Sequence, residues 1–358
     1  MSSNQSPRGP YFVLELTPRC NNDCQYCYNV WKKDPHYPAG ELDTDTWKKI
    51  IEKIKNETTS EIISFTGGEP MMRKDTLELV RFSNSLGLGV NLITNGTLLT
   101  EQLVKDLIDA GVGLFELPFL SGKPDLHNSL SGNDDAWKKV LTAISYVKKY
   151  GGTVVGVVVV TKKNIKEIKY TLETAVVLGL HSVMFNRFNP GGRGAEMMDE
   201  LLPTAAELTE ALGIAQQIVI DYGMPITCNI PIQPCIVNMG AFPYLFTGFC
   251  SAGTDLAYYG IDSLGNMRPC NHSPTILGSF LDTPYQELLD SPLLKEFVDA
   301  IPPLCEPCPS ARTCQGGCKA AAQVCYGSLT EEEPFFKRNI PDNPMLWEAK
   351  QKLEEKKA

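Results

Sequence analysis

The chain has 358 residues, 43% of them hydrophobic and 21% charged, a balance that excludes wholesale disorder and suits one large domain with a smaller companion. A net charge of −9 argues against a nucleic-acid-binding face, which needs clustered Lys and Arg. The first ten residues lack an apolar signal core, and the longest apolar run, starting at Val154, is far too short to span a bilayer, so the expectation is a cytoplasmic protein.

Up to about residue 200, short apolar β-rich runs alternate with amphipathic stretches. Strands are expected at 11–16, 61–66, 90–95, 112–117, 152–160 and 182–188. Helical patterns fall near 44–57, 75–86, 100–110, 135–150, 164–179 and 204–222. Strand-then-helix units with crossovers of this length predict an α/β fold with a parallel sheet, either open and doubly wound or a partial barrel. In both, chemistry belongs at the C-terminal ends of the strands. Beyond residue 230 Cys, Pro and Gly rise and periodicity fades. The expected division is a core over 11–230, a small domain over 231–335 held by metal more than by an apolar core, and a helical tail over 336–358.

Twelve cysteines without an export signal point to metal or redox chemistry rather than a disulfide framework. The four histidines (His36, His127, His181, His272) show no metal-site spacing. Any metal inventory is therefore thiolate-bound, which favours iron–sulfur, zinc or copper(I). The stretch "RCNNDCQYCYN" sets Cys20, Cys24 and Cys27 directly after the first strand. A tetrahedral metal takes four ligands and a disulfide two, whereas a [4Fe–4S] cubane on three thiolates keeps one iron open to a substrate or cofactor.

This loop resembles the signature of the radical S-adenosylmethionine (SAM) superfamily, C-x3-C-x-φ-C, with Tyr26 at the aromatic position. The resemblance implies a partial (β/α)6 barrel of the TIM type and a cluster on Cys20, Cys24 and Cys27 whose open iron binds the amino and carboxylate groups of SAM. Reductive cleavage then yields a 5′-deoxyadenosyl radical that takes hydrogen from a substrate. Two further motifs fall in family order. "FTGGEP", with Gly67, Gly68, Glu69 and Pro70, follows the second strand and stands where relatives meet the SAM amino group. "LITNGT", with Thr94 and Asn95, follows the third. After the fourth strand Pro118 occupies the place of a serine that meets the SAM carboxylate in relatives. Ser121, three residues on, or Arg187 is the expected substitute. Asn164, where relatives also have Asn, is expected to be a helix N-cap.

The later cysteines, Cys250, Cys270, Cys305, Cys308, Cys314, Cys318 and Cys325, resemble the SPASM extension of radical SAM enzymes, which carries two auxiliary iron–sulfur clusters. The resemblance implies that Cys305, Cys308, Cys314 and Cys325 hold one cluster and Cys250, Cys270 and Cys318 the other. The fourth position of the latter is open or filled by Asp255, Cys235 or Cys228. A pair of zinc sites, giving a scaffold without catalysis, is the competing reading of the same spacing. Asn271 stands where sulfatase maturases carry an aspartate base, and His272 beside it is a candidate general base near its ordinary pKa.

SPASM relatives mostly modify peptides or proteins. The resemblance implies an oxidoreductase of peptide or cofactor maturation. Because the first strand begins at residue 11, leader recognition is expected from a separate partner protein, with electrons from a flavodoxin or ferredoxin. The alternative substrate is a small molecule such as a sugar or cyclitol. An RNA substrate conflicts with the acidic balance.

Overall fold

The computed structural model describes residues 9–32, 37 and 40–355; the last three residues of the expected tail fall outside that range. The six expected strands are β1 (Tyr11–Thr17), β2 (Ile62–Gly67), β3 (Gly89–Ile93), β4 (Val112–Pro118), β5 (Thr153–Val160) and β6 (Ser182–Arg187), lying side by side and parallel in chain order. Their β-branched and aromatic residues suit a pleated, buried surface; β5 reads TVVGVVVV.

The pleat sorts the two faces. Phe12, Leu14, Ile63, Phe65, Val90, Leu92 and Phe115 enter the main core, packed by helices such as Thr44–Glu57, which buries Trp47, Ile50, Ile51 and Ile54. The alternate positions are polar: Glu15, Thr17, Ser64, Thr66, Asn91 and Glu116. Tyr11 joins them, its hydroxyl meeting Ser64 and accepting from Asn91 Nδ2. One face of the sheet is thus a helix-covered core and the other a polar wall.

The helices start where their caps dictate. Asp43 accepts from Thr46 N, and Thr204 with Glu207 forms a reciprocal capping box at the head of Ala205–Tyr222. Asn164 caps nothing by side chain. It bonds Thr161 N and donates to the Leu120 and Val159 carbonyls, tying the turn after β5 to the turn after β4.

Five short strands extend the sheet. β7 (Ile226–Cys228) and β8 (Phe246–Thr247) continue in parallel beyond β6. β9 (Tyr258–Ile261) pairs in parallel with the outer edge of β1, followed by antiparallel β10 (Asn266–Arg268) and β11 (Gly278–Ser279). The order is β11-β10-β9-β1-β2-β3-β4-β5-β6-β7-β8, an open sheet whose ends do not pair. The chain beyond residue 230 therefore occupies both margins of the barrel-like sheet.

Its middle stretch is not held apart from the large core: Tyr259, Ile261, Met267, Phe280, Tyr285 and Leu288 are all buried in it. Phe12 stacks its ring against Tyr259, Phe280 and Tyr285 at centroid distances of 6.0, 5.5 and 5.8 Å, contacts of about 0.5–1.5 kcal/mol each beyond their burial. Among the described residues two small apolar clusters accompany the cysteines. Ala252, Phe297 and Ala320 form one; Leu304, Phe336 and Ile340 form the other. Among the described residues no helix is long and apolar enough to cross a membrane.

Candidate active site

The N-terminal cysteine loop is clamped from three sides at the C-terminal ends of the strands. Gly68 N donates to Thr17 O and Glu69 N to Arg19 O, each at 2.7 Å, so the turn after β2 is laced to the residues leading into Cys20. The approach is so close that a Cβ on Gly68 would stand 2.2 Å from the Arg19 carbonyl oxygen. From the side of β4, Gln25 N donates to Leu130 O. After β6, Gly194 N donates to Cys27 O, and Gly192 at φ +44° brings its backbone against Asn29.

Glu69 joins two of the motifs. Buried, its carboxylate accepts from Thr94 Oγ1 at 2.6 Å, Asn95 N at 2.7 Å and Met71 N at 3.0 Å. Burial pushes its pKa up to about 6 against those bonds. The expected balance for an ammonium is thus already a structural tie between GGEP and TNG, with lone-pair capacity for about one further donor. Asn95 Nδ2 donates to Asn21 Oδ1, and its side chain also reaches the Cys20 thiol. Tyr26 bonds the Cys24 sulfur. Pro70 opens the short helix Pro70–Met72, and Arg73 after it pairs with Asp75 and Glu41.

Two expected SAM-carboxylate contacts do not stand at the rim. Arg187 is fully buried: its Nη2 lies 2.6 Å from Glu333, Nε donates to Pro231 O at 2.7 Å, and its plane lies over Phe335. A guanidinium so engaged is not a free clamp; it fastens β6 to the C-terminal segment. Ser121 is wholly buried, its Oγ accepting from Lys123 N.

His272 lies against the end of the cysteine loop. Its ring stacks on Tyr28, the residue after Cys27, at 4.0 Å and 10° between planes, and Asn271 Nδ2 donates to the Tyr28 hydroxyl at 2.8 Å. Asn189 Nδ2 sits 3.1 Å from His272 Nδ1 and 3.2 Å from Cys318 Sγ. Side chains thus run without a break from the first cysteine loop to the later cysteines, a connection that spacing alone did not reveal. The His272 pKa is not near its ordinary value: burial, then the charges of Arg268 and Arg187, pull it from 6.5 down to about 4, so the ring is neutral at pH 7.

The donor sets suit iron–sulfur ligation. Burial, with Cys27 adding to it, pushes the Cys24 thiol up to about 12, and burial leads the rise at Cys20 and Cys27. Crowded buried thiols of this kind are what a bound cation resolves, because a coordinating thiol is deprotonated outright. Cys250, Cys270 and Cys318 gather on the Ala252, Phe297 and Ala320 cluster. Cys305 packs on the Leu304, Phe336 and Ile340 cluster, and Cys308 and Cys314 continue its loop. Among the described residues no three His, Cys, Asp or Glu groups converge on a point that would hold a single metal ion; a cubane binds each thiolate at a separate iron. The alternative donors differ in their surroundings. Cys228 sits in the main core, where burial alone raises its pKa, and Asp255 is exposed beside Tyr259 and Tyr285.

Residues 14–175 match the Radical SAM superfamily over β1 to the helix after β5. The chain carries a radical SAM domain. This domain implies SAM and a [4Fe–4S] cluster as its cofactors, and the three-cysteine rim with GGEP and TNG is the place in this fold that fits them. The chain is similar to an AdoMet-dependent heme synthase of Methanosarcina barkeri, 28% identical over 90% of this chain and 94% of that protein. It is also similar to the PqqA peptide cyclase of Bradyrhizobium diazoefficiens, 26% identical over 74% of this chain and 67% of that one. In fold, the radical SAM domain and its C-terminal segment together resemble native anSMEcpe with bound AdoMet and Cp18Cys peptide, at a TM-score of 0.69 and 20% identity over 96% and 99% of the two chains.

Proposed function

We propose that this protein is a radical SAM oxidoreductase of peptide or protein maturation, carrying two auxiliary iron–sulfur clusters beside the SAM-binding one. In this reading it works with a discrete leader-binding partner and an external donor such as flavodoxin or ferredoxin. One observation carries the reading: the cysteine loop, GGEP and TNG meet on a single rim, tied together through Glu69. The bound group supplies a 5′-deoxyadenosyl radical and hence hydrogen abstraction. The chain's own part is positional. The loop clamps fix Cys20, Cys24 and Cys27, the paired rings of Tyr28 and His272 wall the site, and the polar face of the sheet receives the substrate.

A peptide suits that wall. Arg187 and Arg268, both buried at strand ends, are committed to Glu333 and Glu15. Thr66, Asn91 and Glu116 then offer neutral and acidic contacts rather than cations for a carboxylate-rich small molecule. The likeness to a heme synthase over 90% of the chain favours a second reading, a small molecule of porphyrin type.

Anaerobic protein given SAM and reductant should form 5′-deoxyadenosine, and changing Cys20, Cys24 and Cys27 together to Ala should drop it to background. Retained cleavage in that variant overturns the cofactor assignment. A precursor peptide supplied with its recognition protein should raise turnover at least about tenfold; stimulation by a porphyrin precursor of heme instead selects the second reading.

A further inference from the structure

Strands β1 to β6 carry three charged side chains, and two of them are neutralised within the fold. Glu15 pairs with Arg268, and Arg187 with Glu333. Glu116 on β4 is the third. Among the described residues no hydrogen bond or ion pair reaches its carboxylate, and burial alone acts on its acidity, pushing the pKa from 4.5 up to about 7. A half-buried carboxylate without a donor destabilises the fold, and a donor brought by a ligand offsets that cost. We infer that Glu116 selects a basic residue, binding the ammonium or guanidinium of a lysine or arginine in the peptide substrate. The inference rests on the proposed peptide reading and names what that peptide presents.

The surroundings fit such a side chain along its length. Glu116 stands two residues before Pro118 at the end of β4, roughly 7 Å below the rim that carries the cysteine loop. Leu114 and Pro118 flank it along the strand, and Ile93 pairs with it in register from β3. All three keep accessible surface, while the alternate Phe115 and Leu117 are sealed in the core. Val155 pairs with it from β5. This collar has no polar side chain and suits the methylenes that precede the charge in Lys and Arg.

Beyond the collar, Tyr11 and Tyr258 lie within reach of the carboxylate's charge, their ring centroids 5.0 Å apart. The Tyr11 hydroxyl is engaged by Ser64 and Asn91, which leaves its ring to face a ligand. Aromatic rings beside a carboxylate favour a cation, because both attract it. Tyr258 is more than half exposed, so this end of the wall opens to solvent. A carboxylate-rich tetrapyrrole would meet repulsion at the same place, and the feature thereby separates the two substrate readings.

The test measures binding of small probes to the anaerobically reconstituted full chain by saturation-transfer NMR and calorimetry. Nα-acetyl-lysine methylamide and its arginine counterpart should bind, and the uncharged norleucine counterpart at least about tenfold more weakly, the ratio expected for one lost ion pair. Affinity for the lysine probe should fall as pH drops below 7, where Glu116 takes up its proton, while affinity for norleucine stays level. Glu116→Gln should erase the preference. Glu116→Lys should transfer it to Nα-acetyl-glutamate methylamide, a reversal that a merely structural role does not produce. Iron content and circular dichroism matching the parent show that a variant is folded; should Glu116→Lys fail there, Glu116→Gln alone decides. Equal binding of the lysine and norleucine probes overturns the inference, as does no binding of either at millimolar concentration or an undiminished preference in folded Glu116→Gln. None of these outcomes needs SAM cleavage. A peptide that stimulates 5′-deoxyadenosine formation while all probes bind alike leaves the maturation reading standing without this site. Selective probe binding with no peptide-stimulated turnover keeps the cation site and sinks that reading.

Discussion

The amide of Asn189 faces His272 and the Cys318 sulfur together. A hydrogen bond donated to a ligating sulfur stabilises the extra electron of a reduced cluster, and such bonds help set its potential. Asn189→Ala should therefore shift the potential of the Cys318 site to a more negative value and leave that of the Cys20 site unmoved, which a redox titration followed by electron paramagnetic resonance resolves. Glu116 offers a different readout. It sits on the polar wall, and burial pushes its pKa from 4.5 up to about 7; Tyr11 and Tyr258 are the ionisable groups that feel its charge. With the folded value raised, the stabilising contribution is full below about 4.5 and is lost as pH rises through 7. Glu116→Gln should be more stable than the parent at pH 8, by no more than about 3 kcal/mol, and equal to it near pH 4. Urea unfolding of both proteins at each pH gives the difference with any common loss of clusters cancelled.

At the level of elements, the clamps around the cysteine loop make a sharp expectation. Gly68→Ala drives a methyl group into the Arg19 carbonyl, backbone against backbone, with no flexible side chain to yield. It should cost the N-terminal loop its iron while β1 to β6 still fold, a loss of about four irons per chain with little change in circular dichroism. The same elements mark what a reader of the sequence can and cannot see. β1 to β6 were legible because each is a run of five to eight residues rich in apolar types, followed by a helical period. β7, β8, β10 and β11 have two or three residues, below the length at which alternation means anything; their pairing comes from neighbours distant in the chain. The helix Pro124–Ser131 was missed beneath polar residues, although Pro at its start and Gly132 after its end form a usable signature. The motif residues of the rim were visible as types and spacings. Arg187 invites the reading of a clamp because it stands beside a site, and Glu333, its partner 146 positions away, cannot be seen locally. His272 was visible as a residue and invisible as a stacked one.

Across the whole molecule, two buried ion pairs fasten the C-terminal segment to the sheet, Glu15 with Arg268 on the β1 side and Arg187 with Glu333 at β6. Glu333 also accepts from Gln233 Nε2 and Phe335 N, so its removal strands a buried guanidinium and an amide together. Glu333→Ala should destabilise the protein by about 3–5 kcal/mol, whereas Arg187→Met with Glu333→Leu should recover most of that loss in urea unfolding. The pairing of β9 with β1 has a consequence in time as well as space. Tyr11 meets Tyr258 across that ladder, so β1 leaves the ribosome and waits for a partner roughly 250 residues later, on the order of ten to fifty seconds at ordinary elongation rates. Through that interval the outer edge of β1 is bare and apolar, a template for pairing with another nascent chain. Chaperone demand during synthesis should accordingly fall if Tyr258–Ile261 is supplied early as a separate peptide, and expression of a chain stopped at residue 230 should end in inclusion bodies.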